Sequence, residues 1–292
     1  MYRSLADAIR DAEAKQIPLS RLALETEAED QGRSVEDIRA ALQRALDVMR
    51  GAVAQGMVGD LYSASGLVGG DAAKLRIGAC RSHVRHTLPR HPRARARRAG
   101  INAAMGVIVA APTAGGAGVL PAILTGLAAA RNIPDAALVD ALAVAGLIGA
   151  VIAERASLSG AEGGCQAETG AAAAMAAGAA TEMLGGTPSQ VGHATALAMQ
   201  GTLGLVCDPL GGLVELPCVF RNATGSAIAL TGIELAMAGV EFKIPVDEVI
   251  DVMGEIGRTM DVRYRETAGG GLAATPTGRR LAKERLVQIK RG

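Results

Sequence analysis

Apolar residues recur at helical spacing along most of this chain, and the polar positions that interrupt them cluster at caps and turns rather than alternating. Positions 4–16 and 20–30 mix charged and apolar residues in the manner of short surface helices, and Pro18 separates them because its ring removes a backbone donor. A longer segment opens at Ser34, where S-V-E-D offers a capping box. Val35, Ile38, Leu42, Leu46, Met49 and Val53 then share one face, while Glu36, Asp37, Arg39, Arg44, Asp47 and Arg50 share the other, predicting a helix that ends near Gly56 and Gly59. The stretch SASGLVGGDAAKL reads as a glycine-rich turn followed by a short helix.

From Ala79 to Arg98 the pattern breaks. CRSHVRHTLPRHPRARARR holds three of the four histidines, carries no aromatic residue, and reads as a solvated basic excursion. Beyond it the chain turns apolar, and positions 102–111, 119–130, 136–153, 170–184 and 189–205 predict Ala-rich helices buried on two sides. A further apolar stretch at 227–237, a charged helix at 246–260, the loop ETAGGGLAATPTG and a basic end complete the chain. No repeat of fixed period occurs, and runs of alternating β-branched residues are missing. The expected fold class is therefore all-α, a compact Ala/Gly-rich helical domain with Gly-rich active-site loops.

Composition sharpens that expectation. The 292 residues are 49% hydrophobic and 20% charged, which excludes intrinsic disorder of the whole chain. Aromatics are 2%, with no Trp, so a β-sandwich or barrel has little to build on. Thirty Lys and Arg against 29 Asp and Glu leave a net charge of +1 and no field to steer a polyanion, so nucleic acid is not an expected partner. MYRSLADAIRDAEAKQ lacks the continuous apolar core of a secretory signal, which points to a cytoplasmic protein. ALAVAGLIGAVIA, between Asp140 and Glu154, is shorter than the roughly 20 residues of a bilayer span and reads as a core helix, so no membrane association is expected.

Phosphate-cradling G-x-x-x-x-G-K-[ST] and G-x-G-x-x-G patterns are absent, as are H-E-x-x-H, paired C-x-x-C and G-x-S-x-G. A pyridoxal phosphate enzyme needs a Schiff-base lysine, and of Lys15, Lys74, Lys243, Lys283 and Lys290 only Lys74 adjoins a candidate loop. The cysteines are more informative. Cys165 lies in GAEGGCQAETG, Cys207 in LGLVCDPLGG and Cys218 in VELPCVFRNATG, each at a helix or turn boundary near Gly or Pro, and turns of this kind expose backbone N–H groups that favour thiolate and sulfide. Three thiolates suit a cubane iron–sulfur cluster with one iron free, and equally three Cys can be small core residues of an Ala-rich bundle. Cys80 has no such neighbourhood.

SASGLVGGDAAKL, NAAMGVIVAAPTAGGAGVLPAIL, SLSGAEGGCQAETGAAAAMAAGA, LVCDPLGGLVELPCVFRNA and RETAGGGLAATPTG, taken together and in this order, resemble the α subunit of iron–sulfur-dependent L-serine dehydratase. The resemblance covers nearly the whole chain. It implies one helical domain over 1–292, with peripheral N-terminal helices at 1–60, a cluster- and substrate-binding body at 61–278 and a basic tail at 279–292. It further implies a [4Fe-4S] cluster on Cys165, Cys207 and Cys218, deamination of L-serine to pyruvate and ammonia without pyridoxal phosphate, and Lewis-acid activation of the β-hydroxyl by the open iron.

Substrate would lie against Ser63, Ser65 and Gly66 and against Thr113, Gly115 and Gly116, whose donors adjoin expected helix starts. Arg221 and Asn222, directly after Cys218, would orient the site. The base is unassigned, since His193 lies on a helix face and His83, His86 and His91 belong to the basic excursion; the resemblance implies a β subunit as partner, because the Ser- and His-rich motif of the family's other unit does not occur in this chain. A monovalent cation is compatible with the site. Two departures stand out, the basic 81–98 stretch and Gly116, where the family often carries a small side chain and where glycine would loosen the loop. The alternatives are a non-catalytic helical subunit that retains the fold, or the same chemistry on cysteine or threonine.

Overall fold

In the computed structural model, residues 2–56, 61–69, 71, 104 and 106–289 are described, with side chains to residue 284. Among them the chain is all-α, and its only β pairing is two isolated bridges, Tyr62 with Gly69 and Cys207 with Arg265. The basic excursion, Cys80, Lys74, the three histidines within the excursion and the helix expected after the 63–69 turn lie outside the described residues.

The bundle is built around α7 (Ala171–Met183), whose residues Ala171 to Thr181 are all buried. Small side chains let four neighbours close on it: α4 (Val119–Arg131), α5 (Asp135–Arg155), α8 (Pro188–Gln200) and α9 (Cys218–Met237). At Gly178 a Cβ would fall 2.4 Å from Ile148 Cδ1 and 2.5 Å from Thr195 Oγ1, so this crossing exists only with glycine there. The apolar α5 is long enough in residues and composition to cross a membrane, and here it lies mostly buried against α7 and against α2 (Leu19–Gln31). Thr187 caps α8 with a full capping box, its hydroxyl taking the Gln190 N–H while Gln190 Oε1 takes its own.

The N-terminal helices α1 (Leu5–Lys15) and α2 (Leu19–Gln31) match the expected segments, divided at Pro18. Expected to be peripheral, they nevertheless bury one complete face: Leu5, Ala8, Ala12 and Leu19 have no exposed surface. Asp247, on α10 (Val246–Thr259), takes hydrogen bonds from Ser4 Oγ (2.6 Å), Leu5 N–H (2.9 Å) and Ala6 N–H (3.2 Å), anchoring the start of α1. Glu182 on α7 does the same for α2 through Leu19 N–H (2.8 Å) and Ser20 N–H (3.0 Å). Orphan donors at helix starts are thereby satisfied from across the fold. The amphipathic α3 (Val35–Gly56) ends at the expected glycine.

Three segments differ from the sequence reading. Residues 106–111, expected to be helical, are an irregular stretch leading into Ala111–Pro112; the β-branched run Val107-Ile108-Val109 and the restriction a proline places on its predecessor both oppose a helix there. The helix expected over 189–205 stops at Gln200, and 201–206 become turns and coil. The apolar segment at 227–237 is only the second half of α9, which begins nine residues earlier at Cys218. Of the basic C-terminal segment, residues 279–289 belong to a helix, α11 (Pro276–Ile289).

Candidate functional site

Three chain segments meet on one side of α7. The first runs through the single-turn α6 (Gly160–Gly163), Gly164, Cys165 and a π-helical turn, Gln166–Gly170, that leads into α7. Gly164 has φ +73°, and a Cβ there would lie 2.9 Å from the Leu205 carbonyl, so the turn that presents Cys165 requires glycine. Gln166, fully buried, fastens it: its backbone N–H donates to Leu205 O (3.0 Å), its amide donates to Met253 O (3.0 Å), and its Oε1 accepts from Gly204 N–H (2.8 Å).

The second segment carries Cys207, whose N–H donates to Tyr264 O (2.8 Å) and whose carbonyl accepts from Glu266 N–H (2.9 Å). The third is the N-terminus of α9, where Cys218 is the first helical residue. All three cysteines are free and buried, with 2%, 1% and 4% of their surface exposed. They lie close enough to govern one another's ionisation. A hydrogen bond with Cys207, helped by Thr169 and the Arg221 charge, brings Cys165 down to about 7 against the opposing effect of burial. That same hydrogen bond, together with burial, pushes Cys207 upward, and burial raises Cys218 to about 12.

Arg221 sits under this group. Its Nη2 pairs with Asp208 Oδ1 at 2.7 Å and its Nη1 donates to Val206 O at 2.8 Å. Burial opposes its charge, yet Cys165, Asp208 and Cys218 hold the guanidinium firmly protonated. Asn222, 1% exposed, stitches the 112–118 loop to α9: its amide donates to Gly115 O (2.6 Å) and Cys218 O (2.9 Å), and its Oδ1 accepts from Gly118 N–H (2.8 Å).

The glycine-rich loops reach the same region by different routes. Ser65 donates its hydroxyl to Glu215, and its N–H also reaches Glu215 Oε1 at 3.3 Å; Ser63 Oγ accepts from Val68 N–H at 3.2 Å, and Gly66 closes the turn with φ +70°. Glu215 lies three residues before Cys218, and Val68 packs on Val219, so this loop is tied to the cysteine end of α9. Thr113 donates to Glu168 Oε1 at 2.7 Å. Gly116 does not loosen its loop: a Cβ there would lie 2.7 Å from the Glu168 carbonyl and 3.0 Å from Ala172 Cβ, so the backbone packs directly against the π-helical turn. His193 is half-buried on α8, as its sequence context suggested.

Glu168, 7% exposed, was not singled out by sequence reasoning, and neither were Asp208, Glu215 or Glu266. Glu168 Oε2 lies 3.6 Å from Cys207 Sγ. Donor atoms of Glu168, Cys207 and Glu266 all fall within 4.8 Å of one another, a group able to hold a metal ion. Burial, and then the Glu168 charge, raise the Glu266 carboxyl. The available signal was a carboxylate three residues after Cys165 inside an otherwise Ala-rich run.

Residues 14–273 match the family model for the serine dehydratase alpha chain. A protein of Bacillus subtilis (strain 168) named a probable L-serine dehydratase, alpha chain, is 45% identical over 287 residues, which span 97% of this chain and 95% of that protein. The L-serine dehydratase, alpha chain, of Peptoniphilus asaccharolyticus is 39% identical across 92% of this chain and 93% of its own length. An L-serine dehydratase of Streptomyces coelicolor is 41% identical over 89% of this chain, which spans 58% of that longer protein.

Proposed function

The chain belongs to the serine dehydratase alpha chain family, and from that premise we propose that it deaminates L-serine to pyruvate and ammonia on a [4Fe-4S] cluster held by Cys165, Cys207 and Cys218. The observation that carries this reading is the convergence of three buried free cysteines, remote in sequence, at one point beside a buried guanidinium.

The residues suit such a group. Soft thiolate donors select iron–sulfur clusters, and the Arg221 guanidinium, although paired with Asp208, lies close enough to favour the thiolate form of Cys165. When bound, the cluster supplies an iron as Lewis acid toward the β-hydroxyl, which is otherwise a poor leaving group. The protein does the rest. The loops of Ser63, Ser65 and Gly66 and of Thr113, Gly115 and Gly116 bind substrate, Arg221 supports the cysteine end of α9, and Asn222 holds the 112–118 loop in register with it.

The alpha-chain relatives, and the longer S. coelicolor protein of which this chain spans little more than half, support an enzyme completed by a β partner. Such a partner supplies the base that removes the α proton. The test is anaerobic purification with and without that partner, measuring iron, acid-labile sulfide and pyruvate from L-serine. We expect about four iron and four sulfide per chain, lost on Cys165→Ala, Cys207→Ala or Cys218→Ala, and pyruvate formation only with the partner. A cluster without turnover in either condition identifies a non-catalytic subunit, and no cluster after reconstitution overturns the reading.

A further inference from the structure

Glu168 is a carboxylate, 7% exposed, for which no cationic partner is found among the described residues. A second carboxylate, Glu266, lies within reach of it and likewise forms no ion pair there. Of the neighbouring cations, Arg221 is already committed to Asp208 and to the Val206 carbonyl, and Arg265, whose backbone pairs with Cys207, forms no ion pair with either carboxylate among the described residues. An ionised carboxylate buried here without a counter-charge is costly, so a cation that enters beside Glu168 and the less buried Glu266 is favoured.

Two glycine backbones lie directly against these carboxylates. A Cβ on Gly160 would stand 2.7 Å from Glu168 Oε2 and 3.1 Å from Glu266 Oε2, and one on Gly115 would stand 2.9 Å from both Glu168 carboxylate oxygens. Glycine at these two positions keeps side chains off the carboxylates on two sides. Thr113 holds Glu168 Oε1 at 2.7 Å, which orients the carboxylate without adding charge.

We propose that Glu168, with Glu266 beside it, receives the ammonium group of the amino-acid substrate and so selects amino acids over 2-hydroxy acids at this site. The assignment rests on the lyase reading given above and adds to it the residue that recognises the amine. A primary ammonium presents three N–H donors and one positive charge, which matches two neighbouring carboxylates better than it matches a neutral hydroxyl. Thr113 takes one oxygen of Glu168 and Cys207 Sγ lies beside the other, so an amine held here has the cysteine group next to it.

The experiment compares wild type, Glu168→Gln and Glu266→Gln, each with its partner subunit and anaerobic. Iron and sulfide are quantified, KM for L-serine is determined, and binding of L-alanine and of L-lactate is followed by calorimetry, since neither can lose a β-hydroxyl. We expect Glu168→Gln to retain the cluster, to raise KM for L-serine and weaken L-alanine by roughly 10- to 100-fold, and to leave L-lactate unchanged or tighter. Glu266→Gln, at a more exposed position, should show the same selectivity shift to a smaller degree, and it decides the matter if Glu168→Gln does not fold. Equal weakening of alanine and lactate, or no change for either, overturns the proposal. So does a divalent ion beyond the cluster iron that is lost in Glu168→Gln while the preference for alanine over lactate is retained. Wild type that binds alanine in preference to lactate yet forms no pyruvate contradicts the lyase reading and leaves the amine-recognition assignment supported.

Discussion

Arg221 and Asp208 form an ion pair at 2.7 Å with only 15% and 2% of their side chains exposed. Asp208 also takes the Leu272 N–H at 2.6 Å, so one carboxylate joins the cysteine end of α9 to the glycine-rich 267–274 loop. Arg221→Met leaves that carboxylate buried without its counter-charge and should cost about 3–5 kcal/mol of stability. Arg221→Lys keeps the charge but loses the fork geometry and should cost less. Urea midpoints of the two variants measure this, and equal midpoints would contradict the stated role of the pair.

Asn222 makes three hydrogen bonds that no smaller side chain reproduces. Asn222→Ala leaves the Gly115 carbonyl and the Gly118 N–H unpartnered and should lower stability by about 2–4 kcal/mol. Hydrogen exchange should accelerate in residues 113–118 before it does so in α5. Uniform acceleration across both would show that Asn222 serves the fold as a whole rather than this loop.

Gly116 and Gly146 provide a matched contrast. Gly116→Ala drives a methyl into the Glu168 carbonyl and should cost about 1–3 kcal/mol. Gly146 lies within α5, and a methyl at that position meets nothing within 4 Å, so Gly146→Ala should stabilise by about 0.5–1 kcal/mol through reduced backbone freedom in the unfolded chain. Thermal melts of the pair should move in opposite directions.

Burial raises the carboxyl of Glu182 even though it accepts from Ser20 and Leu19 at the start of α2. An acid whose folded pKa exceeds its unfolded value contributes stability that is complete below the unfolded pKa and lost as pH rises through the folded one. Relative to Glu182→Gln, wild type should therefore lose ground as pH rises above the ordinary glutamate range. Urea midpoints of both proteins at pH 4 and pH 7 test the sign, and a relative gain by wild type at pH 7 would refute it.

Much of this architecture is legible in the order of residues. The Ala-rich helices declare themselves because burial on two sides leaves no polar stripe, and the breaks at Pro18 and Gly56 follow from backbone chemistry. The cysteines stand out by their glycine and proline neighbours. Residues 106–111 misled because a short apolar run has no periodicity of its own to separate helix from extended chain. Glu168 was illegible for another reason: what makes it notable is its meeting with Thr113, 55 residues earlier, and with Glu266, and neither leaves a local trace.

The grip of Asp247 on Ser4, Leu5 and Ala6 spans more than 240 positions of the chain. During synthesis the first helix therefore emerges long before the residue that caps it, and its buried face must wait in solvent or in transient company until α10 leaves the ribosome. Closure of the bundle is in this sense a late event, with non-local pairings setting its pace. A nascent chain halted before residue 247 should hold α1 loosely, exposed to proteases that the finished protein resists.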